Sequence, residues 1–290
     1  MDFKVDNAII MAAGTSSRFV PISHEKPKAL ICVKNEVLIE RQIRQLHEAG
    51  VSTIVVVVGY MKEKFDYLRD LFGVIIIEND KYLVRNNHSS IYAARDYLKN
   101  SYICSADNYF SINPFNSVEE FSYYAAVYAD GKTKEWCFST DKEGCVSNVT
   151  IGGEASWYMM GHSFWSEVFS ENFLKILEHV YDKSETFDKL WEHIYMENLD
   201  MLSLKIKKYS SSEIYEFDSL EELREFDSKY VENSGSNIIK KIASNLKCRE
   251  QDIISLSPQK SKHGLILGFQ FTCNELIYCY DYEEGHFERI

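Results

Sequence analysis

Residues 8–18 read AIIMAAGTSSR, and residues 26–30 read KPKAL. The apolar run at the start of this stretch is typical of a buried strand. The small residues that follow let the backbone approach a ligand and offer N–H groups to phosphate oxygens. Arg18 can contact a phosphate with two N–H donors, and Lys28 supplies a point charge. The stretch therefore predicts a strand leading into a triphosphate-binding loop, although ordinary strand-to-helix turns are also rich in small residues.

The segments after this loop alternate between strand and helix patterns. We predict strands at Ala8–Met11, Thr53–Val58, Val74–Glu78 and Tyr102–Ala106, and helices at Val37–Ala49, Lys62–Phe72 and Ser89–Lys99. Such alternation predicts an α/β fold with a Rossmann-like, mostly parallel sheet flanked by helices. Because ligands bind at the carboxyl ends of parallel strands, we expect the Gly14 loop, the Gly59-Tyr60 turn and Asp107 at one edge.

From Ser122 onward the predicted elements belong to the other half of a main domain, residues 1–231. The predicted strands are Tyr123–Tyr128, Glu135–Ser139, Val146–Ile151, Trp157–His162, Ser203–Lys207 and Ile214–Phe217, and the predicted helices are Ser166–Val180, Thr186–Glu197 and Leu220–Tyr230. A polar linker at residues 232–236 precedes a small α+β appendage, residues 237–290. We predict a helix at Asn237–Leu246 there, followed by a hairpin of Leu265–Thr272 and Leu276–Tyr282.

The composition excludes several classes of protein. A formal net charge of −12 disfavours nucleic acid and anionic membranes as partners, so a polyanionic ligand needs a local basic site. The seven cysteines lack C-x-x-C spacing, which argues against a zinc site and a disulfide framework. No run approaches the roughly 18 apolar residues of a membrane span, and the N-terminal run is too short for a signal peptide. We expect a soluble, cytoplasmic protein.

Carboxylates that follow strands are the candidates for holding Mg²⁺, the cation that best neutralises a triphosphate during transfer. Asp107 follows one predicted strand, and Asp218 ends another just before a helix. Asp218 has an alternative role, because aspartate is a favoured helix N-cap. Asn87 and Ser89 have the same two interpretations, since they could contact a nucleotide or cap the helix that follows them.

The pattern A-A-G-x-x-S-R-(x)8-P-K-A-L resembles the signature of nucleotidyltransferases that join a nucleoside triphosphate to a phosphorylated small molecule. Across roughly residues 8–230 the chain is similar to the bacterial CTP:phosphocholine cytidylyltransferases. Collinear matches carry this resemblance, at residues 58–60, 78–82, 86–87, 106–109, 135–136, 161–165 and 214–219. It implies the fold of the nucleotide-diphospho-sugar transferases. Two departures are Ser16, where many relatives carry Gly, and Ser105, where relatives often carry Asp.

The resemblance also implies roles for individual residues. Asp107 and Asp218 would bind the catalytic Mg²⁺, and Arg18 and Lys28 would contact the triphosphate of CTP. The nucleotide-binding set comprises Ala12, Ala13, Gly14, Thr15, Ser16, Ser17, Lys28, Gly59, Tyr60, Asn87 and Ser89.

Aromatic residues support phosphocholine as the acceptor. A quaternary ammonium donates no hydrogen bonds, so proteins enclose it with aromatic faces and often a carboxylate. We predict that Trp136 and Trp191 contact the choline group, together with Glu216 and Asp188. Trp165, with Phe164 and Phe169, is expected in the core instead.

Two other functions stay open. The acceptor could be phosphoethanolamine, 2-aminoethylphosphonate or a sugar 1-phosphate, for which an aromatic cage has no purpose. Alternatively, the chain could be a nucleotide sensor or assembly subunit that has lost turnover, as Ser105 and the short C-terminal appendage suggest.

The appendage has a weaker resemblance of its own. Residues 237–282, with DIISLSP at 252–258 and Gly264, are similar to the start of the small lobe of bacterial choline kinases. Those kinases carry a polar Gly-Met-Thr-Asn segment where this chain reads GLIL at 264–267, and the chain ends before a kinase's catalytic loop. We expect that the appendage cannot phosphorylate choline. A docking or dimerisation role, and hence a homodimer, stays open.

Overall fold

The fold is known from a computed structural model, which describes residues 2–261 and 265–290. Gly264, which marks the kinase-like segment, lies outside the described residues.

The strands, in chain order, are β1 (Phe3–Lys4), β2 (Asn7–Ala12), β3 (Cys32–Val33), β4 (Glu36–Val37), β5 (Ile54–Val58), β6 (Ile75–Glu78), β7 (Ser101–Ser105), β8 (Asn108–Phe110), β9 (Val118–Glu119), β10 (Tyr123–Thr140), β11 (Val146–Trp165), β12 (Lys205–Tyr209), β13 (Ile214–Glu216), β14 (Ile254–Lys260), β15 (Ile266–Cys273), β16 (Leu276–Asp281) and β17 (His286–Arg289).

The α-helices are α1 (Ile22–Glu25), α2 (Leu38–Glu48), α3 (Tyr67–Phe72), α4 (His88–Ala93), α5 (Glu167–Val180), α6 (Trp191–Met196), α7 (Leu220–Phe226), α8 (Lys229–Glu232) and α9 (Asn237–Leu246). Short 3₁₀ turns lie at Lys28–Leu30, Lys62–Phe65, Arg95–Tyr97, Ser184–Thr186 and Glu250–Asp252.

The central sheet has the order β12-β10-β11-β7-β2-β5-β6. Strands β7, β2, β5 and β6 pair in parallel, and β11 is antiparallel to both of its neighbours. The predicted α/β fold with a mostly parallel sheet is confirmed. Apolar runs made this prediction possible, because the inner parallel strands are buried on both faces: every residue of β5 is buried.

Strands β10 and β11 differ from the prediction. The sequence suggested four short strands, whereas the structure has two long ones that remain paired through several register shifts. In β11, Gly152 (φ 80°) lies in the gap between the two predicted strands, and Gly161 (φ 101°) lies within the second; both adopt left-handed backbone conformations at register shifts. These positions are typical of bulges, which bend a strand without ending it. A turn at residues 142–144 joins the two strands, with Gly144 at φ 81°.

The helix predicted at Thr186–Glu197 begins five residues later, at Trp191. Residues 184–186 form a separate 3₁₀ turn instead. The helical pattern was correct for the second half only, because the start of α6 is fixed by a distant side chain, described below.

The chain divides into two compact units that do not follow chain order. The first contains the residues up to Gly14 together with Leu38–Glu216, and the second contains Thr15–Val37 together with Phe217–Ile290. The loop that follows β2 is therefore divided: Gly14 belongs to the first unit, and the residues from Thr15 onward belong to the second. The second unit also contains the appendage, in which α9 accompanies the antiparallel sheet β14-β15-β16-β17. The predicted helix and hairpin of the appendage are confirmed.

In the part of the chain that the structure describes, no helix has both the length and the apolar character needed to cross a membrane.

Candidate functional site

Three loops of the first unit meet at the carboxyl edge of the parallel strands. The backbone N–H of Tyr60 donates to the carbonyl of Ala13 (3.1 Å), and the N–H of Ala106 donates to the carbonyl of Met11 (3.2 Å). These bonds join the loops that follow β5 and β7 to the end of β2. The sequence expectation of a shared edge is therefore confirmed for Ala12–Gly14, Gly59–Tyr60 and Asp107.

Close packing accounts for glycine at position 59. A Cβ atom there would lie 2.7 Å from the ring of Tyr82 and 3.0 Å from the Cβ of Ala13. Any larger residue would separate these groups. Gly59 therefore lets the turn after β5 pack against the start of the loop that follows β2.

The turn that carries Asp107 is fixed by hydrogen bonds from a buried side-chain amide. The Nε2 of Gln42 donates to the carbonyls of Ser105 (2.8 Å) and Asn108 (2.9 Å), and Gln42 is fully buried. One side chain thus ties both sides of the turn. Asp107 is half-buried between these anchored neighbours, so its carboxylate is attached to a rigid backbone.

The charges of four carboxylates of the first unit raise the pKa values of two tyrosines. Burial raises the pKa of the Tyr124 hydroxyl, and the charges of Glu192, Glu216 and Asp107 raise it further. The pKa of Tyr158 is raised by burial and then by Glu135 and Glu216. We call this set of six residues the acidic–aromatic cluster. It contains two predicted site residues, Asp107 and Glu216.

Asn87 connects the start of α4 to the start of α6. Its Oδ1 accepts a hydrogen bond from the N–H of Trp191 (2.7 Å), and its Nδ2 donates to Glu192 Oε2 (3.1 Å). The neighbouring Asn86 donates from Nδ2 to the carbonyl of Asp188 (3.1 Å). Asn87 is at the N-cap position of its own helix, but its side chain makes no capping bond there. The predicted nucleotide segment and the predicted acceptor segment thus form one hydrogen-bonded element.

Ser89, which was predicted to contact nucleotide, is buried with both roles of its hydroxyl in use. Its Oγ donates to the carbonyl of Asn86 and accepts from Asn79 Nδ2, both at 2.8 Å. These bonds fix the loop before α4. Direct contact of Ser89 with a nucleotide stays a prediction.

The two tryptophans predicted to contact choline differ in environment. Trp191 is only 1% exposed; its ring stacks on Tyr124 (centroids 5.5 Å apart) and meets Trp165 edge-on (5.0 Å). Trp136 is half-buried, with its ring edge-to-face with His193 at 4.7 Å. Accessible aromatic surface therefore belongs to Trp136, whereas Trp191 packs in the core beneath Tyr124. Trp165 is fully buried, as expected.

In the second unit, Asp218 pairs with both predicted triphosphate-binding cations. Its Oδ2 lies 2.7 Å from Arg18 Nη1, and its Oδ1 lies 3.7 Å from Lys28 Nζ. The Lys28 side chain is only 6% exposed, so its ammonium group is buried beside the carboxylate of Asp218. Ser219 accepts from the N–H of Glu222 and is the N-cap of α7. The alternative that Asp218 is the N-cap of this helix is therefore wrong, because Ser219 is the N-cap.

The loop residues Thr15, Ser16 and Ser17 are half-buried in the same unit. Ser16 has φ 48°, in the left-handed region that glycine adopts without strain. This conformation gives a backbone reason for the glycine that the resemblance leads one to expect there.

The magnesium site stays a prediction. Asp107 belongs to the first unit and Asp218 to the second, and the described residues include no group of three or more His, Cys, Asp or Glu side chains arranged to hold a metal ion. The donor chemistry suits Mg²⁺, which binds through one or two carboxylates and completes its shell with water and phosphate oxygens.

Sequence reasoning missed Tyr124 and Glu192. Tyr124 lies in a strand with an apolar pattern, and Glu192 lies in a predicted amphipathic helix, where a glutamate is normally on the solvent face. No local signal marks either residue, because each is identified only by a contact from another element. Trp191 of α6 stacks on Tyr124, and Asn87 donates a hydrogen bond to Glu192.

Comparison with known proteins shows that the chain is similar to nucleotidyltransferases. Residues 8–112 match the family model of the MobA-like NTP transferase domain. A choline-phosphate cytidylyltransferase from Streptococcus pneumoniae is 35% identical over 220 residues, which cover 76% of this chain and 96% of that protein. A 2-aminoethylphosphonate cytidylyltransferase from Lancefieldella rimae is 36% identical over 229 residues, which cover 78% and 93% respectively.

A solved structure of the CTP:phosphocholine cytidylyltransferase from Streptococcus pneumoniae superposes with a TM-score of 0.74 at 34% identity. The match covers 78% of this chain and 99% of that one.

Glu192 should make stability depend on pH. Burial raises its pKa to about 7, from 4.5 in an exposed chain. Between these values the folded carboxyl keeps a proton that the unfolded chain has lost, so the free energy of unfolding should fall as pH rises through this window, by roughly 3 kcal/mol in total. Glu192→Gln should lack this fall. Urea unfolding of both proteins at pH 5 and pH 8 measures the difference.

The control is Glu171→Gln, which changes an exposed carboxylate on α5. Its unfolding free energy should follow that of the wild type at both pH values. If Glu192→Gln does the same, Glu192 is ionised throughout this window in the folded protein.

Proposed function

This chain belongs to the bacterial choline-phosphate cytidylyltransferase family, and on that premise we propose that it forms CDP-choline and pyrophosphate from CTP and phosphocholine. The observation that carries this proposal is the match to a choline-phosphate enzyme over 96% of that enzyme's length. The chain is thus a nucleotidyltransferase, and its site should perform an in-line displacement at the α-phosphorus of CTP.

The cations of the second unit suit the triphosphate. Arg18 Nη1 lies 2.7 Å and Lys28 Nζ lies 3.7 Å from the carboxylate of Asp218, so the two cations are held close to the same side chain. Preorganised cations lower the free energy of charge that develops on the leaving pyrophosphate. A phosphomonoester is already ionised near neutral pH, so we assign no general base for the attacking oxygen.

We propose that Asp107 and Asp218 hold Mg²⁺. When bound, this ion neutralises phosphate charge and favours pyrophosphate as a leaving group. Asp107 would contribute a carboxylate from a turn whose two sides are hydrogen-bonded to Gln42. Asp218 would contribute a carboxylate next to Arg18 and Lys28. Carboxylate oxygens fixed in this way match the ligand preference of the ion.

The acceptor should bind to the acidic–aromatic cluster and Trp136. Quaternary ammonium groups bind aromatic faces and carboxylates without needing hydrogen-bond acceptors, and Trp136 offers accessible ring surface. Glu216 and Asp188 are exposed carboxylates. Trp191 would act from the core, by holding Tyr124 in place.

A second acceptor is favoured by a specific observation. The 2-aminoethylphosphonate enzyme is as similar to this chain as the choline-phosphate enzyme is. Its name implies an acceptor with a primary ammonium, which donates hydrogen bonds and would prefer carboxylates to aromatic rings.

The appendage, the assembly and the location complete the proposal. We propose that residues 237–290 derive from a choline-kinase small lobe without kinase activity, so that ATP and choline should give no phosphocholine above a control without enzyme. A homodimer and a cytoplasmic location also belong to the proposal; all seven cysteines are free thiols, which fits a reducing compartment.

Pyrophosphate release over a matrix of four nucleoside triphosphates and several acceptors tests the function. We expect CTP with phosphocholine to give the highest kcat/KM among all pairs. A higher value with 2-aminoethylphosphonate would transfer the assignment to the second acceptor. Binding of CTP without release for any acceptor would instead support a nucleotide sensor.

Asp107→Ala should lower kcat by at least about a hundredfold, since removal of one group that stabilises transition-state charge typically costs about 3 kcal/mol. Asp107→Asn should also raise the Mg²⁺ concentration that gives half-maximal rate. Initial rates across a magnesium titration measure both effects. Asp70→Ala, which removes an exposed carboxylate from α3, is the matched control. Near-normal turnover in Asp107→Ala would remove this residue from the mechanism.

Trp136→Ala should raise KM for phosphocholine by about five- to thirtyfold, because a desolvated cation–π contact contributes about 1–2 kcal/mol. The KM for CTP should stay the same. Tyr128→Ala is the control, because Tyr128 is an exposed aromatic residue on the same strand, β10. An unchanged KM for phosphocholine would show that the Trp136 ring has only a packing role.

A further inference from the structure

The phosphate-binding loop is attached to the appendage through Glu25. This residue ends α1, the short helix between Arg18 and Lys28. Its Oε1 accepts hydrogen bonds from Ser236 Oγ and from the N–H of Ile238, both at 2.9 Å. Its Oε2 accepts from the N–H of Asn237 at 3.0 Å. A single carboxylate thus receives three donors from the start of α9.

Two of these donors, the N–H groups of Asn237 and Ile238, are among those that a helix leaves without internal partners. Ser236 is the N-cap of α9, and its hydroxyl accepts from the N–H of Ile239. A capping box would place a glutamate at the position of Ile239, but α9 has no acidic residue in its first turn. Glu25, which lies 211 residues before Ser236, supplies the missing negative charge: it accepts from the N–H groups of the first turn, and its charge interacts favourably with the helix dipole.

A second contact lies next to the first. The His24 ring stacks on Tyr282, with centroids 3.7 Å apart and ring planes 5° apart. Tyr282 in turn packs against Phe269 and Tyr280 of the appendage sheet. Two consecutive residues of the loop therefore contact both the helix and the sheet of the appendage.

The end of the same segment is anchored as well. The N–H of Lys34 donates to Asp227 Oδ2 (2.7 Å), and the Tyr230 hydroxyl donates to the carbonyl of Cys32 (2.8 Å). Residues 15–37 consequently have one fixed region at 24–25 and another at 32–34. Lys28 lies between them.

We propose that Glu25 is a positioning residue for triphosphate binding, and that the appendage exists in this chain to hold the loop that carries Arg18 and Lys28. The inference rests on the proposed function for the identity of the ligand. A loop fixed in advance loses less conformational entropy when it binds, so its release should weaken CTP binding. The acceptor site and the rate at saturation should be much less affected.

The test compares Glu25→Ala and Glu25→Gln with Glu284→Ala, which removes an exposed carboxylate from the same appendage. We expect Glu25→Ala to raise KM for CTP about five- to tenfold and Glu25→Gln about two- to threefold, because the amide keeps an acceptor but loses the charge. The KM for phosphocholine and kcat should change less than about twofold. Glu284→Ala should match the wild type.

Tyr282→Leu is the second variant, because it weakens the attachment without changing the loop's own sequence. It should also raise KM for CTP while KM for phosphocholine stays constant. Equal changes in both KM values and in kcat, or no change in KM for CTP in any folded variant, would overturn the proposal.

Hydrogen exchange of the backbone amides distinguishes this inference from the proposed function. In the protein without ligand, Glu25→Ala should accelerate exchange in residues 18–28 and leave β5 unchanged. This result would support the attachment even if the wild type had no transferase activity. Unchanged exchange in residues 18–28 would overturn the inference even if CDP-choline is formed.

Discussion

Parallel pairing of β2 with β5 and β7 is the constraint on which the first unit depends. The register places Ala12 beside Val58 and Met11 beside Ser105, so that three strands end at the same level. The chain must then turn three times at one edge, and two backbone hydrogen bonds join these turns. Small residues are needed there for packing, as Gly59 shows, before any ligand is considered. The site is thus a consequence of strand register that phosphate chemistry then exploits.

Capping from a distance is the second organising feature. Asn87 accepts from the first N–H of α6, 104 residues further along the chain, and Glu25 accepts from the start of α9. In each case one polar side chain from a functional loop satisfies donors that the helix cannot satisfy itself. Such bonds fix the helix and the loop together. Asn87 and Glu25 therefore each have a structural role in addition to any role in binding.

The strands of the parallel sheet could be predicted from sequence because their signal is local: continuous apolar runs, separated by helical patterns that end at glycine. The length of β11 could not, because Gly152, which lies at a register shift inside the strand, looks like a strand end in a sequence. The late start of α6 was hidden for a different reason, since its capping side chain, Asn87, lies in another segment. For the site, residue types at strand ends identified Asp107 and the Gly59 turn. Residues that act through contacts between elements, such as Glu192 and Glu25, leave no pattern of their own.

The bonds of Asn87 also bear on how the two substrates are coupled. Its amide joins the loop before α4 to Trp191 and Glu192, and Glu192 accepts from the Tyr124 hydroxyl (3.2 Å). Burial, and then the charges of Glu192, Glu216 and Asp107, raise the pKa of the Tyr124 hydroxyl. A cation bound near these carboxylates would favour ionised Glu192, and ionised Glu192 accepts more strongly from Asn87. On the proposed assignment of these segments to nucleotide and acceptor, acceptor binding would therefore tighten the loop before α4, and by linkage the nucleotide would strengthen acceptor binding by the same factor.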